Sequence, residues 1–122
     1  MREILFSGRG NTKYNDGEWY YGVPIRDFEG DWQICTDNSK RVVIPETIGQ
    51  YTGFKDKKGT KIFEGDIGRR RDDIFLIDWS EEKAAFVMIF YDYICEILYL
   101  EEMWDDAEVI GNIHDNPELL EV

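Results

Sequence analysis

The chain has 122 residues, of which 43% are hydrophobic and 15% aromatic, and its formal net charge is −12. That length suits one domain over residues 1–122, with enough apolar material for a core without metals or disulfides. No apolar run reaches the ~20 residues of a membrane helix, and no charged segment followed by an apolar one opens the chain as a signal peptide does, so a cytoplasmic protein with no membrane contact is expected.

Arg2 to Ser7 is read as a first strand, and Gly8-Arg9-Gly10-Asn11-Thr12-Lys13 as a loop. The loop lacks the G-x-x-x-x-G-K-[ST] spacing and the following helix that phosphate cradling requires. Asn15-Asp16-Gly17 signals a turn, because Asp-Gly supplies the positive φ that tight turns need. Glu18 to Arg26 is a strand with Trp19, Tyr21, Val23 and Ile25 on one face by period two. Gly22 and Pro24 mark it as bulged or edge-like. Phe28-Glu29-Gly30-Asp31 turns the chain into a strand from Trp32 to Thr36. After a turn at 37–39 comes a short strand from Lys40 to Ile44. Pro45 to Gly49 suits one helical turn with Gly49 as its stop.

Gln50 to Ile67 is the most informative stretch. It reads as a strand anchored by Tyr51 and Phe54, a polar hairpin loop Lys55-Asp56-Lys57-Lys58-Gly59, a strand with Ile62 and Phe63, a glycine step at Glu64-Gly65-Asp66, and a further strand opening at Ile67. Arg69-Arg70-Arg71-Asp72-Asp73 is a charged break. Ile74 to Trp79 is β by composition, and Ala84 to Phe90 is apolar enough for a strand buried on both sides. Tyr93 to Leu100 is read as a strand, because a helix would put Glu101 on its apolar stripe. Glu108 to Ile113 is the last strand. Asn116-Pro117-Glu118 then reads as a helix start, with Asn116 as cap and Pro117 at the first position. Many short strands with frequent turns point to a mainly β fold, either barrel-like or two small packed antiparallel sheets, with a short C-terminal helix.

The opening Met-Arg-Glu-Ile-Leu-Phe-Ser-Gly, Gly-Glu-Trp-Tyr-Tyr-Gly at 17–22, the run from Pro45 to Ile67 and Val-Ile-Gly-Asn-Ile-His-Asp-Asn-Pro-Glu-Leu-Leu at 109–120 resemble the YopX family over nearly the whole chain. These are small proteins of phages and prophages of Gram-positive bacteria. The resemblance implies a mostly β domain working in a bacterial host cell, and it carries over no catalytic residue. Gly68-Arg69-Arg70 stands where the family pattern leads one to expect a more apolar strand.

No catalytic, metal or cofactor residues are assigned. His114 is the one histidine, placed to cap or pack just before the expected final helix. Cys35 and Cys95 form no C-x-x-C pair and read as free thiols. The charge is divided: residues 1–71 hold 13 Lys/Arg against 11 Asp/Glu, and residues 72–122 hold 1 against 15. The expected function is a non-enzymatic phage accessory protein that binds protein or assembles with itself, its opposed charges meeting head to tail. The alternative is a role with nucleic acid. That would be either binding of a single strand through Tyr51, Phe54, Lys55, Lys57, Lys58, Lys61, Arg69, Arg70 and Arg71, where cations interleave with aromatics, or DNA mimicry through the acids of 72–122.

Overall fold

The computed structural model describes residues 3–90 and 106–120 and the strand Ile94–Glu96, whose last two residues are described by backbone only. The chain divides into two compact units, Met1–Tyr51 and Thr52–Val122.

In the first unit, β1 (Phe6–Arg9), β2 (Trp19–Arg26), β3 (Trp32–Cys35) and β4 (Lys40–Val42) form an antiparallel meander. A 3-10 turn at Pro45–Thr47 leads into β5 (Gly49–Lys55), whose start pairs with β1 through Phe6–Gln50 and Ser7–Gly49. Gly49, expected to stop a helical turn, is therefore the first residue of a strand. Strand β2 changes partners halfway: Trp19 to Gly22 face β1 and Val23 to Arg26 face β3. Pro24 sits in the half that pairs with β3, where a missing N–H is tolerated as on an edge. Gly22 lies at the hand-over. A Cβ there would come within 2.0 Å of the Cys35 carbonyl oxygen, so the backbones approach too closely for any other residue. Ile34 and Val43 are fully buried, and Tyr51 joins them at 5% exposure. Arg9, expected in a loop, completes β1, and Gly10 bridges to Val43.

The far half of β5 enters the second unit and pairs with β6 (Lys61–Phe63), which ends the sheet order β4-β3-β2-β1-β5-β6. The second sheet runs β10-β9-β8-β7-β11. Its strands are β7 (Asp66–Arg70), β8 (Asp73–Ser80), β9 (Ala85–Ile89), β10 (Ile94–Glu96) and β11 (Ala107–Asn112). Ile62, Phe75, Ile77, Phe86, Met88, Phe90 and Ala107 form its core, with Phe54 and Val109 packed against them. Consecutive Phe86, Val87 and Met88 are all buried, as the two-sided reading of that run requires. Gly68 lies opposite Phe75, whose ring occupies the space a side chain would need.

Of the two arrangements expected, the described strands take that of two antiparallel sheets, both open, and neither closes into a barrel. Two further expectations are corrected. The C-terminal helix is a 3-10 turn of four residues, Pro117–Leu120, with no buried residue. A single turn that only half-buries Leu119 and Leu120 gains too little packing to propagate. Asn116 does not cap it in the expected way: its side-chain oxygen accepts from the Asn112 N–H instead. The charged break also shrinks. Arg69 and Arg70 belong to β7, and the hairpin to β8 turns on Arg71-Asp72 alone, with Arg71 at φ 56. The strand read from Tyr93 to Leu100 is described at Ile94–Glu96, paired with β9, and its remainder lies outside the described residues. No helix among the described residues is long and apolar enough to cross a membrane.

Candidate functional site

Two hairpin loops are built on one five-residue frame, Asp-x-x-Gly-x. In Asp27-Phe28-Glu29-Gly30-Asp31 the Asp27 N–H donates to the Asp31 carbonyl and the Gly30 N–H to the Asp27 carbonyl. The Asp27 carboxylate accepts from the Glu29 and Asp31 N–H groups, each at 2.9 Å. In Asp56-Lys57-Lys58-Gly59-Thr60 every one of these bonds recurs. The Asp56 N–H donates to Thr60, the Gly59 N–H to Asp56, and the Asp56 carboxylate accepts from the Lys58 and Thr60 N–H groups at 2.9 Å. Gly30 and Gly59 take φ of 91 and 83, the left-handed step that follows a type I turn in a three-residue hairpin connection. The first residue supplies the acceptor, the fourth the backbone freedom, and the second and third are left to solvent.

What the frames display differs. Phe28 at the tip of the first loop is fully exposed, at 111%. Asp27 and Glu29 flank it in sequence, and the window Arg26–Trp32 carries three acids and one base. Arg26 donates from Nε to the Gly30 carbonyl at 3.3 Å and braces the loop. Tyr21 and Val23, on the strand leading into it, are about half exposed at 50% and 55%. The second loop displays Lys57 and Lys58, and the window Lys55–Lys61 carries four bases and one acid.

The loops also differ in depth. Asp56 is 7% exposed, and its second oxygen accepts from the Val109 N–H of β11 at 2.9 Å. Asp27 is half-buried, and its second oxygen takes only the Gln33 side-chain amide at 3.3 Å. The Asp56 charge also acts on Asp66. Burial pushes the Asp66 carboxyl up to about 7, against a backbone hydrogen bond from Phe63 at 2.8 Å that lowers it, with Asp56 adding to the rise. Asp66 closes the Phe63–Asp66 turn, in which Gly65 takes φ 93. The exposed His114 lies beside Gly65, whose Cβ would stand 3.7 Å from its Nε2.

The expected binding residues are only partly gathered. Glu108 of β11 stands opposite Arg69 and holds Arg69 Nη2 at 3.0 Å and Lys58 Nζ at 3.1 Å. Those two cations hold its carboxyl below the usual carboxylate range. Asp106 draws Arg70 and Arg71 to 3.8 and 3.6 Å. Arg70 Nε is buried without a hydrogen-bond partner. Lys55 and Lys57 are exposed, and Lys61 is half-buried at the base of the loop. Tyr51 is core and Phe54 packs on the second core, so neither aromatic stands open beside the cations. Cys35 is a free, half-buried thiol, and the side chain of Cys95 lies outside the described residues. The reading from sequence missed Phe28 as a display residue. Its signal was the recurrence of Asp-x-x-Gly at 27–30 and 56–59 with an aromatic in the solvent-facing second place.

The family model "YopX protein" matches residues 9–121. The chain belongs to the YopX family. This YopX-family chain is also similar to the crystal structure of protein EF1440 from Enterococcus faecalis, at 26% identity and a TM-score of 0.61, with 99% of this chain and 100% of that one covered. None of the curated proteins compared matches it.

Proposed function

We propose that this YopX-family chain is a non-enzymatic accessory protein of a phage or prophage that acts in the host cytoplasm by binding protein. The observation that carries this reading is Phe28. A fully exposed aromatic side chain is held at the tip of a loop whose backbone is fixed by its own hydrogen bonds. A pre-organised aromatic anchor loses little conformational entropy on binding, and aromatic residues dominate the energetics of protein interfaces. Tyr21 and Val23 extend the apolar surface along the strand behind it.

The nucleic-acid alternative has less support. Stacking of bases needs open rings, and Tyr51 and Phe54 are committed to packing. Mimicry of DNA would draw on acids of which Asp106 and Glu108 already pair with cations of the same chain.

A photo-crosslinking phenylalanine analogue placed at position 28 tests the reading, with the exposed Glu46 position as control. Discrete protein adducts at 28 and none at 46 support it. No protein adduct at 28, or adducts to nucleic acid alone, overturns it.

A further inference from the structure

We propose that the Phe28 loop of one copy docks on the Lys55–Lys61 loop of a second copy, head to tail; this rests on the protein-binding reading and names the partner. The two loops share a frame and carry opposite charge: the window Arg26–Trp32 holds Asp27, Glu29 and Asp31 against Arg26, and the window Lys55–Lys61 holds four lysines against the buried Asp56. An exposed aromatic ring between carboxylates is a receptor for an ammonium or guanidinium group, because the ring face attracts the cation while the acids pair with its neighbours. The same chemistry occurs inside the first unit. Arg9 lies 6.0 Å from the Trp19 ring, Lys13 5.4 Å from Tyr14 and Arg41 5.5 Å from Tyr20. Lys57 at the tip of the second loop is exposed, and Arg69 stands beside Lys58 on the shared carboxylate of Glu108. Both loops are braced by their own hydrogen bonds before contact, so complementary charge meets at little ordering cost.

The contact joins two different loops. Each copy presents one loop of each kind, so pairing either closes on itself, as a reciprocal dimer or a larger ring, or continues as an open chain. At a net charge of −12 whole copies repel. Salt near 0.15 M, with a Debye length of about 8 Å, screens that longer-range repulsion and leaves close contacts less affected.

Sedimentation velocity of the purified chain at that salt tests the arrangement. The wild type is expected to associate into dimers or larger multimers, in a share that rises with concentration. Phe28→Ala, and separately Lys55→Glu with Lys57→Glu, are each expected to be monomeric, with unchanged circular dichroism because these side chains are exposed and lie outside the Glu108 ion pairs. Mixed in equal amounts, the two variants are expected to give dimers and nothing larger, since each retains the half that the other lacks. A monomeric wild type, multimers of either variant alone, or a mixture that stays monomeric overturns the proposal. A monomeric wild type whose position 28 still crosslinks to a different protein overturns the self-association and leaves the protein-binding reading standing.

Discussion

The loops at 27–31 and 56–60 fold by the same bonds and have different consequences for the molecule. Around Asp27 the carboxylate organises its own loop and little else. Around Asp56 the same carboxylate is buried, reaches a third backbone N–H on β11, and bears on the titration of Asp66. A local motif thus serves as a display device where it is exposed and as a structural joint where it is buried. The difference arises from depth and from one added hydrogen bond, while the tip positions stay open in both.

Removing the Asp56 carboxylate gives the largest expected effect. Asp56→Ala leaves the Lys58, Thr60 and Val109 N–H groups without their acceptor, and the site is buried. A loss of about 4–5 kcal/mol is expected in denaturant unfolding, from roughly 1.5–3 kcal/mol per bond to a charged group with incomplete additivity. Asp27→Ala breaks the matching pair of backbone bonds where water can replace them, and about 1–2 kcal/mol is expected. Equal losses from the two would show that burial does not separate the loops.

Asp66 gives the next effect, and it has the opposite sign. Its folded-state pKa of about 7 lies above the ordinary 3.8, so the folded state binds the proton more tightly than the unfolded chain between these values. Stability should therefore fall as pH rises from about 4 to above 7. Asp66→Asn retains an oxygen for the Phe63 N–H and should flatten that slope. At pH 8 it should stabilise the fold by about 3 kcal/mol, some two thirds of the roughly 4 kcal/mol that about 1.4 kcal/mol per pKa unit gives for the whole shift. A variant with an unchanged pH slope would remove Asp66 from the account.

Much of the second unit was legible from its residues. Ala84 to Phe90 announced a buried strand by continuous apolarity, and the Gly53, Gly59 and Gly65 spacing placed the loop and the step between β5, β6 and β7. The first unit was harder. Trp19, Tyr21, Val23 and Ile25 share a face by alternation, but alternation does not tell which face meets the core, and Tyr21 and Val23 point to water. Arg69 and Arg70 read as a break because charge disfavours strands; the register that sets Arg69 opposite Glu108 turns them into strand residues by pairing that charge. That pairing joins positions 39 residues apart, which no local pattern reveals. The binding residues failed for a related reason: cations and aromatics adjacent in sequence part company when the aromatics enter the core.

Smaller effects refine the comparison. Gly30→Ala and Gly59→Ala should each cost about 1–2 kcal/mol, because both positions are left-handed and neither faces a crowded site. The frame predicts equal values despite the different depth of the two aspartates. Ala84, at φ 49 in the β8–β9 hairpin, is the converse case. Ala84→Gly should stabilise by about 0.5–1 kcal/mol in thermal unfolding, since glycine takes that conformation without strain.

The most direct measurement exchanges the display and keeps the frame. Phe28→Lys with Glu29→Lys gives the first loop the tip of the second while Asp27 and Gly30 remain. Thermal unfolding and sedimentation velocity are then read on the same sample. The account predicts a melting temperature within about 3 °C of wild type, as exposed substitutions of about 0.5 kcal/mol allow, and complete loss of association. A large drop in melting temperature would mean that the tip residues hold the loop, and multimers that persist would mean that Phe28 is not the anchor.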